Sequence, residues 1–202
     1  MSANVSGPSV HLSDPRLRAV QTDVWATLAR LPAPLAAAAA HLLDQITPPR
    51  WHIEWHLPQW LGDTYHLPPE ATHTLVVANV FGLGYIRLQD DLADGEGGDE
   101  DRVIKVCLAT AFYQHWIQQY VQCFPARSPF WQQYNQFMQQ WLLATLESAR
   151  QPARDFTAYG EDDYLRLAWR GAPLKICCVG AALLARRPVE LGPLLAAVDH
   201  LL

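Results

Sequence analysis

The sequence predicts an all-α fold, and three features of the chain support that prediction. Apolar residues recur at helical spacing, prolines and glycines separate the helical stretches, and no alternating run ends in a hairpin turn. The chain has 202 residues, of which 50% are apolar, and a chain of that length can bury a substantial core. We therefore expect residues 1–202 to form one helical domain.

The first quarter of the chain predicts two helices and an irregular aromatic segment. Ser13-Asp14-Pro15 predicts a helix start with the serine as cap, because apolar residues follow at helical spacing up to residue 31. Prolines 32 and 34 then interrupt the pattern before an alanine-rich helix that ends near 47–49. Segment 51–60 is dense in aromatic and histidine side chains, and we expect a loop and a short helix there.

The remainder predicts longer helices. One opens at 68–70 and runs to about Asp94, where glycines stop it; the next covers about 99–123, and another runs from 128 to about 150. From about Glu161 the chain is predicted to be helical to Arg187, with a break at 171–173, since a proline there interrupts the helix. A final helix is expected from about Val189.

Composition excludes two classes of function. The formal net charge is −5 and no basic stripe is present, so the chain lacks the positive surface that nucleic-acid binding requires. The longest apolar runs, 75–86 and 176–185, are shorter than the roughly 20 residues of a membrane-spanning helix. The N-terminus lacks the pattern of a secretory signal, and the four cysteines show no Cys-x-x-Cys spacing. We therefore predict a cytoplasmic protein with structural cysteines.

Three aspartates at the end of the long apolar helix need a physical explanation. On a helix, Asp90, Asp91 and Asp94 lie on neighbouring faces of the last turn. That end is already negative, so each acid opposes the helix dipole by roughly 0.3–1 kcal/mol. Mg²⁺ would remove the conflict, because it takes carboxylate oxygens and keeps positions for phosphates. The alternative interpretation is a solvated acidic helix end beside an acidic loop.

Two segments carry a resemblance to a known family. NVFGLGYIRLQDDLADGEG resembles the first aspartate-rich helix of class I isoprenoid synthases, the superfamily of polyprenyl synthetases and terpene synthases, and YLRLAWRGAPLKICCVGAALLA resembles their later kinked helix. The resemblance implies an antiparallel helical bundle around a central apolar cavity. It also implies Mg²⁺-dependent binding and ionisation of an isoprenoid diphosphate, leading to terpene cyclisation or prenyl transfer.

The resemblance also assigns roles to individual residues. Asp90, Asp91 and Asp94 match the catalytic, metal-binding aspartates. The expected diphosphate contacts are Arg87, Arg166, Arg170 and Lys175. Phe81, Tyr85 and Ile86 are expected at the substrate cavity, and further rings that could line it are Trp55, Trp60, Phe112, Tyr113, Trp116 and Trp169. Gly82 and Gly84 would let a second helix approach closely.

Three departures from the family keep a second interpretation open. No second acidic motif precedes Leu202, apart from the weaker run at 161–163, so we expect a chain truncated before that motif or completed by another chain or a homodimer. The isopentenyl diphosphate segment and the paired arginines after the first motif are also missing. These two absences favour cyclisation or an atypical transfer. The alternative is a catalytically incomplete helical subunit that binds prenyl diphosphate or a partner chain without turnover.

A weaker signal precedes the long helix. His52 and His56 are four residues apart, a spacing that can chelate Zn²⁺. The alternative is an aromatic-rich surface segment without metal.

Overall fold

The computed structural model describes residues 7–8, 12–95, 98–150, 160–187 and 191–201. Within these ranges the chain forms nine α-helices, one 3₁₀ turn and no β-strand, which confirms the all-α prediction. The helices are α1 (Pro15–Leu28), α2 (Ala33–Ile46), α3 (His52–Tyr65), α4 (Pro69–Ala93), α5 (Asp99–Cys123), α6 (Phe130–Arg150), α7 (Glu161–Ala168), α8 (Leu174–Leu184) and α9 (Leu191–Leu201), and the 3₁₀ turn spans Trp169–Gly171. No helix in the described ranges combines the length and apolarity that crossing a bilayer needs.

The start of α1 differs from the prediction in one residue. Its cap is Asp14, whose carboxylate accepts a hydrogen bond of 2.8 Å from the backbone N–H of Arg16. Ser13 was expected as the cap, but Pro15 occupies the first helical position, so the residue directly before it has the capping geometry.

Helix α3 replaces the loop and short helix expected at 51–60. It continues through Pro58, which has no N–H to bond the carbonyl of Glu54 one turn earlier. The side-chain amide of Asn79, on α4, donates to that carbonyl oxygen instead. Asn79 is only 7% exposed, and this bond explains why a polar residue interrupts the apolar run of α4.

Helices α4 and α5 form the central antiparallel pair. A Cβ atom built on Gly82 would lie 2.6 Å from Cε2 of Trp116, and one on Gly84 would overlap the ring of Phe112. Only glycine allows α5 to approach α4 this closely, which confirms the expectation for both positions. Trp116 and Phe112 are 2% and 0% exposed, so both rings belong to the core.

The predicted break near residues 171–173 is also confirmed. Helix α7 ends at Ala168, the 3₁₀ turn carries Trp169, Arg170 and Gly171, and α8 begins after Pro173. Helix α8 is buried from Lys175 to Ala182. The break therefore brings polar residues of the turn to the edge of a buried helix, beside the end of α4.

Candidate functional site

A cavity of about 230 Å³ lies between α3, α4, α5 and the turn before α8. Its lining residues are Trp51, Glu54, Asn79, Gly82, Leu83, Ile86, Arg87, Asp90, Trp116, Arg170, Gly171, Pro173 and Leu174. We call it the α4–α8 cavity.

One face of α4 supplies the wall from the buried middle of the helix to its end. Asn79, Leu83, Ile86 and Asp90 are three or four residues apart, so they lie along the same side of the helix. The wall changes along this line from an amide, through aliphatic side chains, to the carboxylate of Asp90 beside Arg87. Asp91 follows Asp90 by one residue, or about 100° around the helix, and therefore faces a different neighbour.

Asp90 is paired across the cavity with Arg170. Asp90 Oδ1 lies 3.1 Å from Nη2 of Arg170, which stands on the 3₁₀ turn. This oxygen is buried and accepts no hydrogen bond of good geometry, so the contact is one of charge alone. This contact brings the aspartate-rich end of α4 and the helix break together.

Asp91 is held by two basic side chains away from the cavity wall. Its Oδ1 lies 2.7 Å from Nη2 of Arg87, one turn earlier on α4, and its Oδ2 lies 3.3 Å from Nζ of Lys105 on α5. Asp91 is 8% exposed, and a buried carboxylate requires such partners. Lys105 was not singled out from the sequence, although the antiparallel α4–α5 pair places the beginning of α5 beside the end of α4.

Asp94 stands apart from the other two aspartates. It is the C-cap of α4, is exposed, and its backbone N–H donates to the carbonyl of Asp90 at 2.9 Å. Among the described residues, no three His, Cys, Asp or Glu side chains come together as a metal-binding group. Asp90 is the member of the motif that lines the cavity, and its buried Oδ1 is occupied by the contact with Arg170.

Glu54 is a cavity residue that sequence reasoning missed. Its carboxyl group is half-buried, and burial is the main cause that raises its pKa above the usual 4.5, while a backbone hydrogen bond and the nearby His52 act in the opposite direction. The only sequence signal was its position in a segment of aromatic residues. Trp51, from the same segment, also lines the cavity.

The predicted diphosphate contacts separate into two groups. Arg87 and Arg170 line the cavity, whereas Arg166 contacts Glu147 at 4.0 Å on the surface. Lys175 is buried, its ammonium group contacts Asp199 of α9, and it lies 5.7 Å from the ring centroid of Phe137. The structure therefore places two of the four basic residues at the cavity.

The predicted lining residues are likewise divided. Ile86 and Trp116 line the cavity. Phe81 packs on Phe112, with 5.7 Å between ring centroids, and Tyr85 lies 5.1 Å from Tyr113. Burial raises the pKa of Tyr85, and its ring belongs to an aromatic cluster beside the cavity.

The remaining rings named from the sequence do not line this cavity in the described structure. Trp55 is buried and its indole N–H donates to the carbonyl of Ile46 at 2.7 Å, whereas Trp60 is 46% exposed. Trp55 therefore contributes to the packing between helices.

Within the described residues, neither of the weaker metal signals gains a third ligand. The rings of His52 and His56 lie with 3.9 Å between centroids and are tilted by 30°, and the ring of Trp60 lies 5.5 Å from that of His56. In the acidic run at 161–163, the side chains of the first two residues lie outside the described residues, and Asp163 accepts a hydrogen bond of 3.2 Å from the N–H of Gly160. Asp163 therefore acts as a helix-start acid.

Comparison of the chain with models of protein families, with curated proteins and with solved structures found no match.

Proposed function

We propose that the α4–α8 cavity binds an isoprenoid diphosphate with Mg²⁺ and promotes its ionisation, leading to terpene cyclisation or prenyl transfer. The observation that carries the proposal is the meeting of Asp90 and Arg170 at one side of a cavity lined further in by Leu83, Ile86 and Leu174. A carboxylate, a guanidinium group and an apolar wall are the three surfaces that a metal, a diphosphate and a hydrocarbon chain require.

Asp90 is the residue that would hold Mg²⁺. Magnesium is usually bound through one or two carboxylates and completes its shell with waters and substrate phosphates, so one aspartate on the cavity wall meets its needs. When bound, the ion neutralises charge that develops on the leaving diphosphate. Asp91 supports this arrangement, because its contacts with Arg87 and Lys105 fix the last turn of α4.

Arg170 would change partners when the ligand binds. Its guanidinium group contacts Asp90 in this structure, and a cation on Asp90 would displace it toward the diphosphate. The planar fork of an arginine suits phosphate oxygens. A volume of about 230 Å³ is below the roughly 300–1,000 Å³ typical of ligand sites, so binding would also separate Asp90 from Arg170 and widen the cavity.

The apolar part of the cavity would hold the hydrocarbon and exclude water. Leu83, Ile86 and Leu174 are aliphatic lining residues, and Trp51 and Trp116 add aromatic rings to the lining. An aromatic face attracts a desolvated cation by about 2 kcal/mol. A dry cavity also protects a carbocation from premature reaction with water.

One observation favours the second candidate function, binding without turnover. Of the three aspartates, Asp91 is occupied by two basic side chains and Asp94 is exposed at the helix end. One motif aspartate on the cavity wall is enough for binding a metal–diphosphate complex but leaves fewer aspartate ligands for several metal ions. Binding and product formation must therefore be measured separately.

Thermal unfolding with Mg²⁺, farnesyl diphosphate and both together tests the proposal. Binding at a hundredfold excess over Kd adds about 2.7 kcal/mol, which for a chain of this size raises Tm by about 5–11 °C. We expect the full rise only with both ligands, its loss in Asp90→Asn, and its retention in the control Asp99→Asn, which changes an exposed acid at the start of α5. A missing rise in the unmodified chain contradicts both functions. A rise without pyrophosphate release supports binding without turnover.

A further inference from the structure

An open groove lies between α5 and α6. Its volume is about 590 Å³, within the roughly 300–1,000 Å³ range of small-molecule sites. Its lining residues are Tyr113, Gln114, Ile117 and Gln118 of α5 and Trp131, Tyr134 and Asn135 of α6. We call it the α5–α6 groove. It shares no lining residue with the α4–α8 cavity, so the proposed function leaves it unused.

The groups that a ligand would meet in this groove are accessible. Tyr113 is 39% exposed, and Trp131 is partly exposed. The side-chain amides that line the groove are exposed as well, and they belong to Gln114, Gln118 and Asn135. A ligand can therefore contact aromatic rings and amide groups without opening the core.

The ring of Trp131 is held in place by its neighbours. Its indole N–H donates to the carbonyl of Pro125 at 3.1 Å. Its ring meets the rings of Phe130 and Tyr134 edge to face, with 5.1 and 5.9 Å between centroids. A ring that is already fixed offers a large contact area at little cost in conformational entropy.

The two accessible rings lie at different levels of the groove. Two ring pairs define the antiparallel register of the helices, namely Trp116 with Tyr134 and Tyr120 with Phe130. In this register Trp131 lies near the level of residue 119, six residues beyond Tyr113 on α5. At 1.5 Å per residue, their backbone positions are about 9 Å apart along the groove. A ligand that contacts both rings must therefore be elongated.

The surface around the groove carries very little charge. Segment 106–146 contains one Asp, Glu, Lys or Arg residue, Arg127, although these residues make up 17% of the whole chain. Its polar side chains are mainly amides: Asn135 and the nine glutamines at positions 114, 118, 119, 122, 132, 133, 136, 139 and 140. Among the described residues, none that lines the groove is charged. This surface favours a neutral ligand over an ion.

The amides and the rings together require a ligand with two kinds of surface. Each side-chain amide has donors and an acceptor, and a hydroxyl group likewise both donates and accepts. His115 Nδ1 donates to Gln118 Oε1 at 3.1 Å, which leaves the N–H donors of that amide for a ligand. The aromatic rings need an apolar face on the same molecule. A pyranose ring with equatorial hydroxyl groups has both, because its hydroxyls lie at the edge and its C–H groups on the faces.

We propose that the α5–α6 groove binds a short, neutral oligosaccharide of pyranose rings with equatorial hydroxyl groups. Its C–H faces contact Tyr113 and Trp131, and its hydroxyls bond to the amides of Gln114, Gln118 and Asn135. Proline-rich peptides also bind in aromatic grooves, but a proline has no N–H, so such a peptide would leave the amide oxygens without donors. The site is independent of the diphosphate proposal, since the two sites have no residue in common.

Titration of the whole chain with cellotetraose, without Mg²⁺ or diphosphate, tests this site. We expect saturable chemical shifts in the side-chain amides of Gln114, Gln118 and Asn135 and in the indole N–H of Trp131. Glucose should bind more weakly, because one sugar ring cannot contact both Tyr113 and Trp131, and a decaproline peptide should cause no shift. The absence of saturable shifts with cellotetraose, equal affinity for glucose, or equal or stronger binding of decaproline overturns the proposal.

A variant of an exposed glutamine tests the contribution of the amides. Gln114→Leu removes one hydrogen-bonding group and should weaken cellotetraose binding about 2- to 13-fold. Gln132→Leu makes the same change at an exposed residue of α6 that does not line the groove, and it should have no effect.

Variants of an exposed tyrosine test the contribution of the rings. Tyr113→Ala should weaken cellotetraose binding about 2- to 13-fold, whereas Tyr113→Phe keeps the ring and should retain most of the affinity. Tyr164→Ala, at a 58% exposed tyrosine of α7, is the control and should have no effect. Unchanged affinity in both Gln114→Leu and Tyr113→Ala overturns the proposal.

Discussion

Replacing Gly82 by alanine tests the close approach of α4 and α5. The new Cβ would lie 2.6 Å from Cε2 of Trp116 and 2.9 Å from its Cζ2 and Nε1. Carbon atoms in contact are about 3.5–4.0 Å apart, so the indole ring would have to withdraw by about 1 Å. Trp116 cannot withdraw easily, because it is 2% exposed and packs on Tyr134 with 5.4 Å between ring centroids.

Two opposing terms determine the stability of Gly82→Ala. Overpacking in a core costs about 1–3 kcal/mol, whereas alanine in place of glycine stabilises a helix by about 1 kcal/mol. Gly192→Ala in α9 provides the control, since a Cβ there meets no atom within 4 Å. Subtracting the control cancels the helix-propensity term and leaves the overpacking cost. For a chain of this size, 1 kcal/mol corresponds to about 2–4 °C, so Gly82→Ala should melt about 2–12 °C below Gly192→Ala.

Thermal unfolding of both variants, followed by tryptophan fluorescence, measures this difference in Tm, and urea unfolding measures the corresponding free energies. A double variant that combines Gly82→Ala with Trp116→Phe measures the coupling free energy between the two positions, because the smaller ring relieves the clash. We expect the two changes at residues 82 and 116 to be less destabilising together than the sum of their separate effects. Equal stabilities of Gly82→Ala and Gly192→Ala, with no coupling to residue 116, would refute the packing described for α4 and α5.

Three further results are expected. Asn79→Leu should lower the free energy of unfolding in urea by about 1–3 kcal/mol, because the buried carbonyl of Glu54 loses its donor. The loss should be smaller in a Pro58→Ala background, where a helix N–H is restored, and an equal loss there would contradict this role of Asn79. Because the pKa of Glu54 is raised in the folded protein, its ionisation lowers the free energy of unfolding as pH rises from 4.5 through the pKa of the folded state. Glu54→Gln should therefore gain stability relative to the unmodified chain from pH 4.5 upward. A difference in Tm that does not change with pH would contradict this. Arg170→Gln should strengthen Mn²⁺ binding, measured by electron paramagnetic resonance, because it frees Asp90, and it should weaken the diphosphate-dependent rise in Tm. The control Arg166→Gln should change neither quantity. Unchanged Mn²⁺ affinity in Arg170→Gln would show that Arg170 and the metal ion do not compete for Asp90.

The helices were predictable because their signals are local. Proline and glycine positions determined the bounds of α4 and α5, and the break at 171–173 followed from one proline. The course of α3 was not predictable, because Asn79, twenty-one residues after Pro58, satisfies the carbonyl that the proline leaves without a donor. A hydrogen bond between two helices does not change the hydrophobic periodicity of either sequence segment, so it cannot be predicted from that pattern.

The candidate site was predictable in part for the same reason. The three acids at the end of α4 were visible as a conflict with the helix dipole, and the structure supplies basic partners for two of them. Arg87 could be expected as a partner of Asp91 from their spacing of four residues, whereas Lys105 and Arg170 come from other elements. Glu54 lines the cavity through the packing of α3 on α4, which sequence spacing alone does not describe.

The contacts of Gly82 and Gly84 with the rings of α5 also determine which side of the α4–α8 cavity can move. Sliding or rotating α5 along α4 would drive the backbone of either glycine into Trp116 or Phe112, so this pair behaves as a fixed wall. The opposite wall is the short 3₁₀ turn that carries Arg170, joined to α8 through Pro173. We therefore expect entry and release of a ligand to depend on a hinge in that turn, with α4 and α5 serving as the stationary frame.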